Sequence, residues 1–199
     1  MAGKGDNTTP TVNVQLYQFN QPQELVEYTA ESEGKLVKCH FDPYGAKFGA
    51  GDTRGTLHIW KFDANASSLK PCISLRQCHE GAINDFTFLN SSSIVATAGM
   101  SSANLNVSIW DTLLPESKSR VKSFQIGESG ISSLLFSPRH SLLIAGGKKG
   151  KIYVMDMRQN LSLVNSFTAH DSLVKSIAIN SETNSLVSGS VKGEIKVLF

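Results

Sequence analysis

Five histidines, three cysteines and one run rich in glycine and lysine are the groups in this 199-residue chain whose types could do chemistry. The run Gly146-Gly147-Lys148-Lys149-Gly150-Lys151-Ile152 has the outline of a phosphate loop. Such a loop needs GxxxxGK followed by Ser or Thr, because backbone N–H groups cradle the phosphates and the hydroxyl holds magnesium. Here the glycine spacing is one residue short and Ile152 carries no oxygen, so a turn between two strands is expected. Cys72, Cys78 and His79 form C-x5-C-H, which matches no common zinc spacing. Cys72 and Cys78 read as buried strand or turn thiols, and the three cysteines, Cys39 included, fit a reducing compartment. His79 and His170 could act as bases, but neither lies near a Ser or Cys in a nucleophile motif. Asp85 and Asp111 have no second carboxylate nearby in sequence, so solvated or hydrogen-bonded structural roles suffice for them. The expectation is a protein with no catalytic residue, no cofactor and no metal.

The elements that would position these side chains are short strands. After Cys78-His79-Glu80-Gly81 comes the alternating stretch Ile83-Asn84-Asp85-Phe86-Thr87-Phe88. The small-residue stretch Ile94-Val95-Ala96-Thr97-Ala98-Gly99 follows, and then Asn106-Val107-Ser108-Ile109-Trp110-Asp111. His, three short strands, then Trp-Asp is the order of a WD-repeat propeller blade, whose period is about 40–45 residues. In such a blade the His, a strand Ser or Thr and the Trp indole share hydrogen bonds, so the signature is structural. The order recurs. Trp60, Trp110, Met155 and Leu198 fall at spacings of 50, 45 and 43 residues, and Phe41, Phe88, Phe136 and Ile179 at 47, 48 and 43. A β-sandwich, the other all-β architecture, gives no such fixed recurrence.

The fold expected is therefore an all-β, partial WD-repeat propeller of about four blades, near 34–77, 78–125, 126–168 and 169–199, with a ring this chain does not close. Trp60, Trp110, His79, Asp111, Asp156 and His170 are its expected structural blade residues. Met155 and Leu198 replace the blade Trp and Glu128 replaces a His, so those blades should lean on burial of Tyr153, Met155, Ile195 and Leu198. Ahead of them, residues 1–10 read as a disordered tail, Thr11 to Phe19 alternates as one strand would, and Gln21 to Glu33 reads as a polar connector. Four repeats fall short of the roughly seven blades usual for a ring, and the expected explanation is a piece of a longer chain supplying the remaining blades. A half-ring completed by a partner is the other.

The second repeat carries a more particular likeness. Cys78 to Phe86, Ser91 to Gly99 and Asn106 to Leu113 resemble the C-terminal propeller of the Dmx-like (rabconnectin) family, as do Leu142 to Gly150 and Phe167 to Ser172. The resemblance implies a very large cytosolic scaffold, similar to the RAVE-type subunit that assembles the vacuolar proton pump. Implied partners are V-ATPase subunits and, on vesicles, regulators of Rab GTPases. No catalytic motif comes with it. Another kind of WD-repeat adaptor, a substrate receptor or an RNA-associated scaffold, is the alternative.

Charge refines the picture. A net charge of +2 is too mild to favour nucleic acid, and no apolar run approaches the roughly 18 residues of a membrane span. A cytoplasmic protein, peripheral on the cytosolic face of vesicles or endomembranes, is expected. Arg54-Gly55, Lys149-Gly150 and Lys192-Gly193 recur at equivalent turns. Equivalent turns of successive blades emerge on one face, so Arg54, Lys148, Lys149 and Lys192 are expected to form a basic rim for an acidic partner segment or an anionic lipid surface.

Overall fold

The computed structural model describes residues 11–18, 21–31, 34–62, 68–69, 71–158 and 161–198, with side chains placed from Gly34 onward except at Ser68 and Leu69. In chain order the strands are β1 (Thr11–Gln18), β2 (Gln21–Glu31), β3 (Leu36–Phe41), β4 (Lys47–Asp52), β5 (Leu57–Lys61), β6 (Ser68–Leu69) and β7 (Ile73–Leu75). They continue as β8 (Asp85–Phe88), β9 (Ile94–Ala98), β10 (Leu105–Asp111), β11 (Arg120–Gln125), β12 (Ile131–Ser137), β13 (Leu142–Gly147), β14 (Lys151–Asp156) and β15 (Ser162–Thr168). Strands β16 (Val174–Asn180), β17 (Ser185–Ser190) and β18 (Ile195–Leu198) end the series.

Four sheets are antiparallel meanders, β3-β4-β5-β7, β8-β9-β10-β11, β12-β13-β14-β15 and β16-β17-β18. This is the four-blade arrangement, and hydrogen bonds do not close it into a ring. The landmark residues sit in one register. Trp60 pairs with Phe48, Trp110 with Val95, Met155 with Leu143 and Leu198 with Leu186, each across the second and third strands of its blade.

The second strand is almost fully buried in the first three blades and carries small residues toward its end. Along β4, Gly49-Ala50-Gly51 is buried, and a Cβ added at Gly49 would stand 3.0 Å from the Phe86 ring of the next blade. Only a missing side chain lets the two blades approach so closely. Apolar clusters fill the seams. Leu57, Ile59 and Leu75 of the first blade meet Ile83, Phe86, Phe88 and Val95 of the second. Val107, Ile109 and Phe124 meet Leu134, Phe136 and Leu143, while Ile144 and Ile152 meet Val174. At about 1.5–3 kcal/mol for each fully buried large side chain, these seams outweigh the polar ties between blades, which are worth about 0.5–1.5 kcal/mol each.

Those ties nonetheless set the alignment. Asn84 donates its side-chain amide to the Ile131 carbonyl at 2.7 Å, and Ser132 donates its hydroxyl to the Val174 carbonyl at 2.8 Å. Ile131 and Val174 occupy equivalent places in successive blades. Asp85 does more. Its carboxylate, 4% exposed, accepts the Leu134 N–H of the third blade at 2.9 Å and stands 3.3 Å from His40 Nε2 and 3.7 Å from Lys38 Nζ of the first. One buried side chain thus joins three blades at their innermost strands, a role that excludes the solvated place the sequence allowed.

Three expectations differ from the structure. Cys72, expected as a buried thiol, is exposed, and only Cys78 of that pair is buried. Ile195 is 75% exposed and Val197 52%, whereas the equivalent Leu57, Val107 and Ile152 are fully buried by the blade that follows each of them. Among the described residues nothing covers the far side of the fourth blade, so Ile195 adds no burial there; Tyr153 and Met155 are buried and Leu198 half-buried. The polar stretch from Gln21 is no connector either. Strand β2 runs antiparallel to β1 from Thr11↔Glu31 to Gln18↔Gln21, and the two residues of β6 join it in parallel. A backbone ladder needs no apolar pattern to form, and pairing overrode the polar composition. The tail at 1–10 lies outside the described residues.

Candidate interaction surface

The blade signature differs from blade to blade. In the second, Trp110 Nε1–H donates to Thr97 Oγ1 at 2.8 Å, and Thr97 meets His79 Nε2 at 3.0 Å. In the fourth, His170 holds Ser188 Oγ at 2.8 Å through Nε2 and the Glu194 carboxylate at 3.0 Å through Nδ1. Glu128 takes the histidine's place in the third: Tyr153 donates its hydroxyl to one carboxylate oxygen at 3.1 Å and the Lys149 N–H to the other at 2.9 Å. Burial, with the Glu128 charge, holds the Tyr153 hydroxyl far above the ordinary tyrosine value. In the first blade Ala50 stands where Thr97 stands in the second, and the fully buried Trp60 stacks on Phe48 at a centroid distance of 5.1 Å. Asp111 and Asp156 stay outside these networks. Each accepts the backbone N–H two residues on, Asp111 from Leu113 and Asp156 from Arg158, whose guanidinium also pairs with it.

Burial makes His79 a pH-sensitive support. Loss of hydration lowers its pKa from 6.5 to about 4, with the Arg120 charge adding to the effect. The unfolded chain therefore binds the proton first, and stability falls as pH drops from about 6.5 toward 4. Between pH 7 and pH 5 the chain should lose about 2 kcal/mol that His79→Gln does not lose. Urea unfolding of both proteins at the two pH values checks this; equal losses would mean that His79 is not held neutral. The neighbouring Cys78 thiol is pushed up to about 12 by burial and is correspondingly unreactive.

In the first, third and fourth blades the turns between second and third strands share one conformation. Gly55, Gly150 and Gly193 have φ of +79°, +87° and +83°. In the first of these turns Asp52 Oδ1 accepts the N–H groups of Arg54 and Thr56. Arg54, Lys149 and Lys192 are exposed on them; Lys148 is half-buried, its chain running past Gly130. Between the first two blades the first of these turns borders a pocket of about 450 Å³ that sequence reasoning missed. Arg54, Gln77, His79, Glu80, Ser101 and Arg120 are among the residues that line it. Arg120, on the outer strand β11, lies 4.7 Å above the Trp110 ring and donates to the Gln77 carbonyl at 3.3 Å. Glu80 is engaged by Ser102, whose hydroxyl and N–H both donate to its carboxylate. Arg120 left no trace in the repeat pattern because it enters through an outer strand of irregular register.

Among the described residues no group of three or more His, Cys, Asp or Glu is arranged to hold a metal, and no helix is long and apolar enough to cross a membrane. The model of the WD domain, G-beta repeat, matches residues 70–111, 118–156 and 161–197, more than half of the chain. DmX-like protein 1 of mouse and DmX-like protein 1 of human are each 36% identical to it over 151 residues, or 74% of this chain. The chain spans about 5% of the length of those relatives.

Proposed function

We propose that this chain, which belongs to the WD-repeat family, supports V-ATPase assembly and vesicle acidification as part of a DmX-like scaffold. The likeness to DmX-like protein 1 over 74% of the chain carries this reading. The WD-repeat fold is that of a protein-interaction scaffold, and the chain's work is docking rather than catalysis. Its partners are V-ATPase subunits or Rab regulators, met on the cytosolic face of vesicles.

The docking face is the basic rim of Arg54, Lys148, Lys149 and Lys192, and the partner segment that it meets is acidic. Attraction between exposed charges speeds encounter and is screened within about 8–10 Å at ordinary salt. Changing Arg54, Lys149 and Lys192 together to Glu should lower association with the co-purifying partner at least about tenfold at low salt. Affinity capture of the chain from cells, followed by identification of bound proteins, tests the assignment. Recovery of proton-pump subunits with the native chain and their loss with the triple variant is the expected result. Capture with no pump subunit, or equal capture by both, would overturn it.

A further inference from the structure

We propose that the pocket between the first two blades binds the carboxylate of an acidic side chain from a partner segment, beside Arg120 and over His79. This rests on the docking reading above and gives it a defined anchoring point.

The fourth blade supplies the template. There the imidazole of His170 holds a strand hydroxyl, Ser188, with one nitrogen and the Glu194 carboxylate with the other. The second blade has the same imidazole and the same hydroxyl position, in His79 and Thr97. Thr97 Oγ1 accepts the Trp110 indole N–H, and the pattern of the fourth blade, where the imidazole Nδ1 donates to a carboxylate, assigns the Thr97 proton to His79 Nε2. The imidazole proton is then on Nδ1, a donor. Nδ1 has no hydrogen-bond partner among the described residues, although His79 is 5% exposed. A buried donor left without an acceptor is costly, and an acceptor arriving there relieves that cost.

The residue that could have supplied one is turned elsewhere. Asn106 stands in the second blade where Glu194 stands in the fourth, four residues before the third-strand landmark. Its oxygen accepts the Ser101 N–H at 3.0 Å, and its amide donates to the Ile126 and Glu128 carbonyls. The carboxylate site of this blade is therefore built but lacks its own acid.

Charge and size agree. The Arg120 guanidinium lines the pocket, and the one carboxylate in its wall, Glu80, is already engaged by Ser102. A guanidinium fork meets a carboxylate with two parallel hydrogen bonds. A volume of about 450 Å³ admits a whole acidic side chain with its neighbouring backbone.

Octaglutamate is the probe, titrated into the 199-residue chain and followed through the ¹H–¹⁵N resonance of His79 Nδ1. The expected result is a downfield shift of that resonance and a Kd raised about tenfold in Arg120→Gln, with Lys149→Gln/Lys192→Gln changing it by less than about threefold. Unchanged resonances of the fully buried Trp60 indole and of the β13 amides establish that each variant keeps its fold. An unmoved His79 signal, or equal Kd in native and Arg120→Gln protein, overturns the pocket. If only the lysine pair weakens binding, the pocket falls and the rim stands; if no variant weakens it, both fall.

Discussion

Gly150→Ala will destabilise the chain by at least about 3 kcal/mol, and Gly193→Ala, at the same place in the next blade, by only about 1 kcal/mol. Both glycines hold the same left-handed backbone, with φ of +87° and +83°. A Cβ at either position meets the same local penalty, about 1 kcal/mol. Their surroundings decide the rest. At Gly150 the added carbon would overlap the His170 carbonyl and crowd that of Ser172, both in the loop that opens the fourth blade. That loop cannot move cheaply, because the Ala169 and His170 N–H groups both donate to the Gly150 carbonyl at 3.0 Å. At Gly193 an added carbon would meet nothing within 4 Å. Denaturant unfolding of the two variants against the native chain measures the contrast. Equal losses would mean that the third blade does not rest on the fourth.

Thr97→Val should cost about 3 kcal/mol, the second largest effect. The substitution keeps volume and β-propensity and removes one oxygen. That oxygen, on a fully buried residue, serves the Trp110 indole at 2.8 Å and the His79 imidazole at 3.0 Å. Two buried polar groups lose their partner together, at about 1–3 kcal/mol for each group left unsatisfied. In a Trp110→Phe background the indole no longer needs an acceptor, so the same substitution should cost about half as much. Equal costs in both backgrounds would mean that the indole bond contributes nothing.

The blades were legible because their landmarks lie where packing repeats. Trp60, Trp110, Met155 and Leu198 pair with the second strand in one register, and a spacing of 43 to 50 residues records that pairing. The side chains that join one blade to the next were far less legible. Asp85 looks isolated in sequence because its partners, Leu134, His40 and Lys38, lie more than forty residues away on either side. A polar residue on the buried side of the innermost strand was the available signal. Ile195 misled for the opposite reason: the pattern of its strand is that of a covered face, and burial depends on a neighbour that no single repeat encodes. The basic turns were visible as Arg54-Gly55, Lys149-Gly150 and Lys192-Gly193, yet the pocket beside them needs Arg120, which comes from another layer of the second blade.

Residue-resolved hydrogen exchange at Ile131 and Leu134 tests the lateral stacking of the blades most directly. Both amides belong to β12, the innermost strand of the third blade. Ile131 N–H donates to the Gly99 carbonyl at 3.1 Å and Leu134 N–H to Asp85 at 2.9 Å, both across the seam to the second blade. In stacked blades these two amides exchange as slowly as the ladder amides of β13 and β14. If they exchange at the rate of exposed turn amides such as Lys192, the blades do not stack, and the docking face assembled from their turns does not exist.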